Sequence, residues 1–413
     1  MTWKETRLKH LCVDSGQYGL NISADNYSAT GTRLIRTSDI SADGRLKDAG
    51  SGVYVDASIE GRHQLLPGDI LLSRSGTLGR SFLVPERAQG HTFAGFLIRF
   101  RPKPGVEPRF LNYATQSVGF QGTVHSEAVA STIQNFNADR YANITLCVPA
   151  PEVQRRIADF LDAETSKLET LDDRFNKVTG LLEERKAALI AACFAFSAAD
   201  DVPVLPLRRA VKRWIDYRGA TPEKTDSGIP LVTAKNIRNG RIDLEASREF
   251  IATDAYADWM RRGLLEVDDV LLTTEAPLGQ VAMVNETFFA LAQRVILLRA
   301  KPDVCSPEWL YWYLLSPQGQ AELELRSTGS TALGIKADRL RGVPIPLPTL
   351  SAATQRLGRL AERVAQIEAL QRKLAEQRML VAERRQALIT AAVTGQFDVS
   401  TASGRNVTEG VSA

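Results

Sequence analysis

The sequence predicts an α+β fold: two similar mixed α/β domains separated by two long antiparallel helices that form an intramolecular coiled coil, the halves related by a pseudo-two-fold. Three observations predict it. The first is a long-period repeat. Gly68-Asp-Ile-Leu-Leu-Ser-Arg-Ser-Gly-Thr-Leu-Gly79 returns as Asp268-Asp-Val-Leu-Leu-Thr-Thr-Glu-Ala-Pro-Leu-Gly279, and Glu184-Arg-Lys-Ala-Ala-Leu-Ile190 returns as Glu383-Arg-Arg-Gln-Ala-Leu-Ile389. The second is a heptad. Leu161, Leu168, Phe175, Leu182 and Leu189 fall every seven residues, as do Leu360, Ile367, Leu374, Val381 and Leu388, each 199 positions further on. The third is order: each half runs from short apolar segments rich in Ile, Val and Leu into one long helical pattern.

The elements follow in chain order. Residues 1–150 form the first domain, with buried strands at Ile70–Leu72 and Phe96–Ile98. A helix opens at Pro108, where the missing proline N–H would have no partner anyway; Glu107 is a poor N-cap before it. Ile144–Pro149 closes the block as an alternating strand. Residues 151–198 are the first long helix. Residues 199–349 repeat the block, with strands at Val270–Leu272 and Val295–Leu298, a helix from Pro307 capped by Ser306, and a proline-rich edge strand at Val343–Pro348. Residues 350–397 are the second long helix, stopped by Gly395, and 398–413 a disordered tail. Each long helix spans roughly 60–65 Å and cannot bury its seam alone. Antiparallel pairing of the two hides both seams and places the blocks at opposite ends of a rod. Leu171 and Val178 supply a second seam row in one helix, and Val364 and Leu370 broaden the other.

Composition bounds the function. The 413 residues allow two to three domains, with an apolar fraction of 44% and a charged fraction of 24%, ordinary for a soluble globular chain. Cys12, Cys147, Cys193 and Cys305 lie far apart without a Cys-x-x-Cys, which argues against a disulfide framework or zinc site and suits the cytoplasm. Met-Thr-Trp-Lys-Glu-Thr-Arg is no signal peptide, and no apolar run is long enough to span a bilayer, so no membrane partner is expected. The net charge of +3 is small, so any nucleic-acid footprint is a local patch.

The absent motifs narrow it further. There is no P-loop, no Asn/Asp-Pro-Pro-Tyr/Phe, no Gly-x-Gly-x-x-Gly after a strand and no His-Glu-x-x-His. His10, His63, His91 and His125 are scattered. Asp69 and Asp268/Asp269 stand where strands begin, without the following acid and lysine a nuclease needs, and read as turn residues. The chain is expected to hold no catalytic residue, no metal and no cofactor of its own. A duplicated chain suits a ligand that is itself two-fold or bipartite, and duplex DNA leads that class.

Residues also carry a family. Gly219-Ala-Thr-Pro-Glu-Lys-Thr-Asp-Ser-Gly-Ile-Pro-Leu-Val-Thr-Ala-Lys-Asn-Ile237, its weaker counterpart Thr30–Ile40, and Arg384-Arg-Gln-Ala-Leu-Ile-Thr-Ala-Ala-Val-Thr-Gly-Gln-Phe-Asp398 resemble the specificity subunit of type I restriction-modification systems. The first half lacks the Gly-x-Thr-Pro opening, which leaves its domain start open. The resemblance implies two target-recognition domains, each reading half of a split double-stranded DNA sequence, with the helices as spacer. It also implies two modification (methyltransferase) subunits that bind S-adenosylmethionine and methylate adenine, and a restriction (motor-nuclease) subunit using ATP and Mg2+. A two-domain protein-binding adaptor with a coiled-coil spacer is the alternative.

The halves agree in scaffold and differ in loops, which is where two readers of different half-sites should differ. After the shared Leu-Leu, Arg74, Ser75 and Thr77 stand against Thr274 and Glu275. Arg suits guanine and Glu the cytosine amine. Gln134, Asn135 and Asn137, suited to adenine, stand against Lys336. Lys235, Asn236 and Arg238, with Arg36 and Ser38 opposite, are candidates for phosphate or base contact. Arg208, Arg209, Lys212 and Arg213 form a basic run suited to phosphates, and Trp309, Tyr311, Trp312 and Tyr313 read as core or partner surface.

Overall fold

The computed structural model describes residues 3–41, 44–47, 52–56, 58–129, 135–217, 221–329 and 333–399. The first half runs β1 (Lys4–Arg7), α1 (Leu8–Leu11), β2 (Gln17–Tyr18), β3 (Thr32–Ile35), β4 (Val53–Val55), β5 (Ile70–Ser73), β6 (Ser81–Leu83), β7 (Thr92–Phe93), β8 (Leu97–Phe100), α2 (Pro108–Gln116), α3 (Val118–Val129), α4 (Ala138–Asn143), β9 (Thr145–Val148) and the long α5 (Pro151–Cys193). The second runs β10 (Val204–Pro206), β11 (Val211–Asp216), β12 (Ile229–Val232), β13 (Ile237–Arg238), β14 (Arg241–Ile242), β15 (Phe250–Ile251), α6 (Tyr256–Trp259), β16 (Val270–Thr273), β17 (Val281–Met283), β18 (Ala290–Leu291), β19 (Val295–Ala300), α7 (Pro307–Leu315), α8 (Pro317–Leu325), α9 (Ala337–Arg341), β20 (Pro344–Pro346) and the long α10 (Leu350–Thr394). Two compact units result, and their boundary falls inside both long helices: residues 1–175 with 375–413, and residues 176–374.

The same topology is built twice. In the first unit an antiparallel sheet has the order β2-β8-β5-β6, a smaller sheet the order β4-β3-β7, and β1 pairs β9. In the second the orders are β11-β19-β16-β17, β15-β12-β18 and β10-β20, with an added hairpin β13-β14. Even the mixed pairing recurs: β3 runs parallel to β7 as β12 does to β18. β20 sits in a two-stranded sheet, an edge position that tolerates its prolines.

The repeated Leu-Leu strand explains why both halves need it. Ile70 and Leu72 face a core shared with α2, α3 and the helix ends, while Leu71 faces a second core with Ile35, Phe82 and Phe93. Val270 and Leu272 divide from Leu271 in the same way. A strand covered on both faces reads as a continuous apolar run, and each buried Leu contributes about 1.5–3 kcal/mol. Asp69 and Asp269 keep the expected turn role, accepting from Leu66 N and Glu266 N at 2.8 and 2.7 Å. Both do more: each is buried and takes a two-point ion pair, Asp69 from Arg101 and Asp269 from Arg299.

Within each unit α5 and α10 pack antiparallel. Arg378 pairs with Asp172 at 2.7 Å in the first unit. In the second, Lys186 pairs with Glu368 at 2.9 Å and the Gln371 amide donates to Glu183 at 2.6 Å. Leu161, Leu360, Ile367 and Leu388 are buried, and Leu168, Phe175, Leu182, Leu189, Leu374 and Val381 half-buried, so the heptad seam is formed. It merges with the cores: Ile157 and Leu161 join Ile389 and Val393 in one, and Ile190 joins Leu360 and Val364 in the other. Of the residues expected to widen the seam, Val364 is buried, and the other three correct the expectation. Leu171, Val178 and Leu370 are exposed, because two helices cover only one narrow stripe on each other.

The helix ends follow their sequences, with one exception. Ser306 caps α7, accepting from Trp309 N at 3.2 Å. Glu107, expected to cap poorly, also caps: its carboxylate accepts from Arg109 N and is held by the Arg109 side chain at 2.9 Å. Gly395 follows α10 with φ +77°, and a Cβ there would lie 2.6 Å from the Trp3 ring, so a larger residue would be strained and would have to displace that ring. Of the tail expected at 398–413, Val399 packs against the first unit's core, and residues from 400 on lie outside the described residues. Among the described residues, no helix is long and apolar enough to cross a membrane.

Candidate nucleic-acid interface

In the first unit the loop after β5 is locked at its base and open at its tip. The Ser73 hydroxyl is buried; it donates to the Thr77 carbonyl and accepts from Arg80 N at 3.1 Å. The Tyr141 hydroxyl donates to Ser73 O at 2.8 Å and accepts from Gly79 N at 3.0 Å. Gly79 holds φ +77°, and a Cβ would lie 2.5 Å from Gln121 Oε1; Gly279 repeats this against Gln320. That is why the repeated segment ends in Leu-Gly both times. Thr77 is exposed and Ser75 half-exposed on this fixed base.

Arg74 and the second candidate loop are brought together. Phe136 N donates to Arg74 O at 2.9 Å, and Arg74 Nε donates to Asn135 Oδ1 at 3.1 Å. The guanidinium lies over the Tyr18 ring, 4.9 Å from its centroid, and the Tyr18 hydroxyl accepts from Ala138 N at 2.9 Å. Sequence reading missed Tyr18, which lies 56 positions from Arg74 with no local signal. Asn137 is exposed and caps α4, accepting from Arg140 N at 2.8 Å, so its Oδ1 already has a donor. Gln134 lies outside the described residues.

The second unit reuses the backbone and changes the side chains. Ile335 N donates to Thr274 O at 3.0 Å, the counterpart of Phe136 and Arg74. Thr274, expected at the surface, is only 1% exposed and its hydroxyl turns inward to Arg294 O, so it is removed from the candidate set. Glu275 is exposed and pairs with Arg294 at 3.2 Å. Lys336 is exposed at the start of α9.

A third pair of segments follows β3 and β12. Asn236 is fully buried, which corrects its candidacy. Its Oδ1 accepts from Thr233 N and Oγ1 at 2.9 and 2.8 Å, and its amide donates to Asp243 O and Ser247 O, both at 2.9 Å. Asp39 does the same work opposite, accepting from Arg36 N at 2.9 Å. Arg36 forks onto that carboxylate at 2.9 and 3.2 Å, a hydrogen bond that raises the arginine's pKa, so it acts first as a brace of this turn. Ser38 and Lys235 are exposed, and Arg238 is exposed and pairs with Asp243 at 3.0 Å. Arg208, Arg209, Lys212 and Arg213 are exposed along the second unit's entry. Trp309 and Tyr313 are core residues; Tyr311 is half-buried and donates to Gly240 O.

These clusters offer hydrogen-bond forks, amides and cations on rigid bases, the equipment of a base and phosphate reader. All four cysteines are free, and burial pushes the Cys12 and Cys305 thiols up to about 12, far from a reactive thiolate at neutral pH. Among the described residues, no group of three or more His, Cys, Asp and Glu is placed to hold a metal ion.

Comparison with known proteins agrees with the duplication. The chain is 19% identical over 405 residues to the EcoKI specificity subunit of Escherichia coli K12, covering 92% of this chain and 85% of that one. It is 18% identical over 421 residues to the EcoBI specificity subunit of Escherichia coli, covering 96% and 86%. A solved chain from work on complex assembly and conformational transition of the type I restriction-modification system shares the fold, with a TM-score of 0.69 at 19% identity over 96% of this chain and 98% of that one. The family model for the type I restriction modification DNA specificity domain matches twice, at residues 2–179 and 216–376, once in each repeat. The chain therefore belongs to the type I restriction-modification DNA specificity family.

Proposed function

We propose that this chain is the non-catalytic, sequence-reading subunit of a type I restriction-modification complex in the cytoplasm. Each unit reads one half of a bipartite double-stranded DNA target through its loop cluster. The chain directs adenine methylation by two modification subunits and cleavage by a motor-nuclease subunit. S-adenosylmethionine, ATP and Mg2+ act in those partners. The candidate contacts that remain are Ser38, Arg74, Ser75, Thr77, Asn135, Asn137, Lys235, Arg238, Glu275 and Lys336, with Arg36 as a brace.

One observation carries the reading: a repeated scaffold places different residues at matched loop positions, an accessible Arg74 against a buried Thr274, Ser75 against Glu275 and Asn137 against Lys336. A duplicated scaffold needs that divergence to read two unlike half-sequences. Exposed Leu171, Val178, Leu370, Met379 and Leu380 leave apolar helix surface for the partner subunits. The chain copurified with its modification subunit is expected to enrich one interrupted sequence from a pool of random duplexes. Enrichment of no sequence, with protein partners still bound, favours the adaptor.

A further inference from the structure

We propose that Arg74 reads a guanine in the half-site taken by the first unit, held in its reading pose by Tyr18 and Asn135 as positioning residues. The inference rests on the DNA-reading function above and adds the base, the contacting atoms and an asymmetry between the units.

Four contacts among the described residues hold the pose. The Arg74 backbone is pinned at both ends, its N–H donating to Phe96 O and its carbonyl accepting from Phe136 N, each at 2.9 Å. The Tyr18 ring supports one face of the guanidinium, and Nε is committed to Asn135 at 3.1 Å. Tyr18 is itself held: β2 pairs it with Ile98 on β8, and its hydroxyl accepts from Ala138 N at the start of α4. What remains is the pair of terminal nitrogens, Nη1 and Nη2, neither with a protein acceptor among the described residues. They form a planar two-donor fork. Guanine presents two acceptors, O6 and N7, on its major-groove edge. Adenine puts an amino donor where O6 would be and opposes one tine. The fork is ordered before binding, so little side-chain freedom is lost on contact.

The second unit lacks this reader. Thr274 occupies the backbone position of Arg74 and is buried. Asp216, paired with Ile296 on β19, stands at the register that Tyr18 holds opposite Ile98. A guanine contact of this kind therefore belongs to one half-site only.

The test is target selection by the full-length chain with its modification subunit, comparing wild type with R74A, R74K, Y18A and N135A. Wild type is expected to return a bipartite motif with a fixed guanine in one half. R74A and R74K are each expected to lose preference at that base by about 10- to 100-fold, with the other half-site unchanged. That unchanged half also reports that the variants fold. Lysine keeps the charge but not the fork, so a phosphate contact would survive R74K. Y18A and N135A shift the same base in the same direction by less. Placing 7-deazaguanine there removes the N7 acceptor and is expected to weaken wild type while leaving R74A indifferent. If R74A weakens all sequences equally, or no base in either half responds, the guanine assignment falls and the DNA-reading function stands. If wild type itself returns no motif, both fall.

Discussion

Replacing Arg299 by Met is expected to destabilise the second unit by about 3–5 kcal/mol, a melting shift of roughly 6–20 °C for a unit of this size. The reason is the partner left behind. Asp269 is 1% exposed and receives two charge-assisted bonds from Arg299, at 2.7 and 2.8 Å. Without them the carboxylate keeps, among the described residues, the Glu266 N–H alone. The first unit supplies an internal control. Arg101 makes the same fork on Asp69, but its side chain is 26% exposed against 9% for Arg299. Water can replace part of what Arg101 provides, so Arg101→Met is expected to cost less. Removing both partners together, in D269L/R299M, is expected to recover most of the loss, because no uncompensated buried charge remains. Unfolding followed by calorimetry checks all three. Equal shifts for Arg299→Met and Arg101→Met would refute the burial argument.

The second large effect is expected at Trp309. Its ring is 1% exposed and lies 4.6 Å from Phe194, centroid to centroid, just beyond the end of α5. Its indole N–H donates to Pro346 O on β20 at 2.8 Å. One side chain thus ties α7, the chain leaving the spacer helix and the closing edge strand. Trp309→Ala is expected to cost about 3–5 kcal/mol through the cavity and the lost transfer energy. Trp309→Phe keeps most of the apolar area and strands the Pro346 carbonyl, for about 1–2 kcal/mol. Chemical denaturation of the two variants measures the ratio; a Phe variant as damaged as the Ala variant would mean the hydrogen bond, not packing, dominates.

Much of the fold was readable because its signals are local or periodic. Ile70-Leu-Leu72 and Val270-Leu-Leu272 announce covered strands, and the heptads announce the helix pair. The candidate site was readable only in part, because its side chains come from segments far apart in the chain. Arg74 and Asn135 were both singled out, yet nothing in sequence joins them, and Tyr18 carried no signal at all. Asn236 misled for a physical reason. A polar residue after a strand looks available, but Thr233-Ala-Lys-Asn236 is a capping pattern in which the fourth side chain turns back on the first backbone N–H. Arg36-Thr-Ser-Asp39 repeats it, and reading the two segments together reveals the bracing role. Thr274 misled because one loop position is outward in one unit and inward in the other.

If the two loop clusters read DNA, this chain chooses which DNA its partner subunits modify. Mapping methylated adenines across the host genome, with the gene intact and with it deleted, tests that most directly. The expected result is one interrupted motif, methylated throughout the genome when the gene is present and unmethylated when it is gone. A methylation pattern unchanged by the deletion, with the partner subunits still produced, would contradict it.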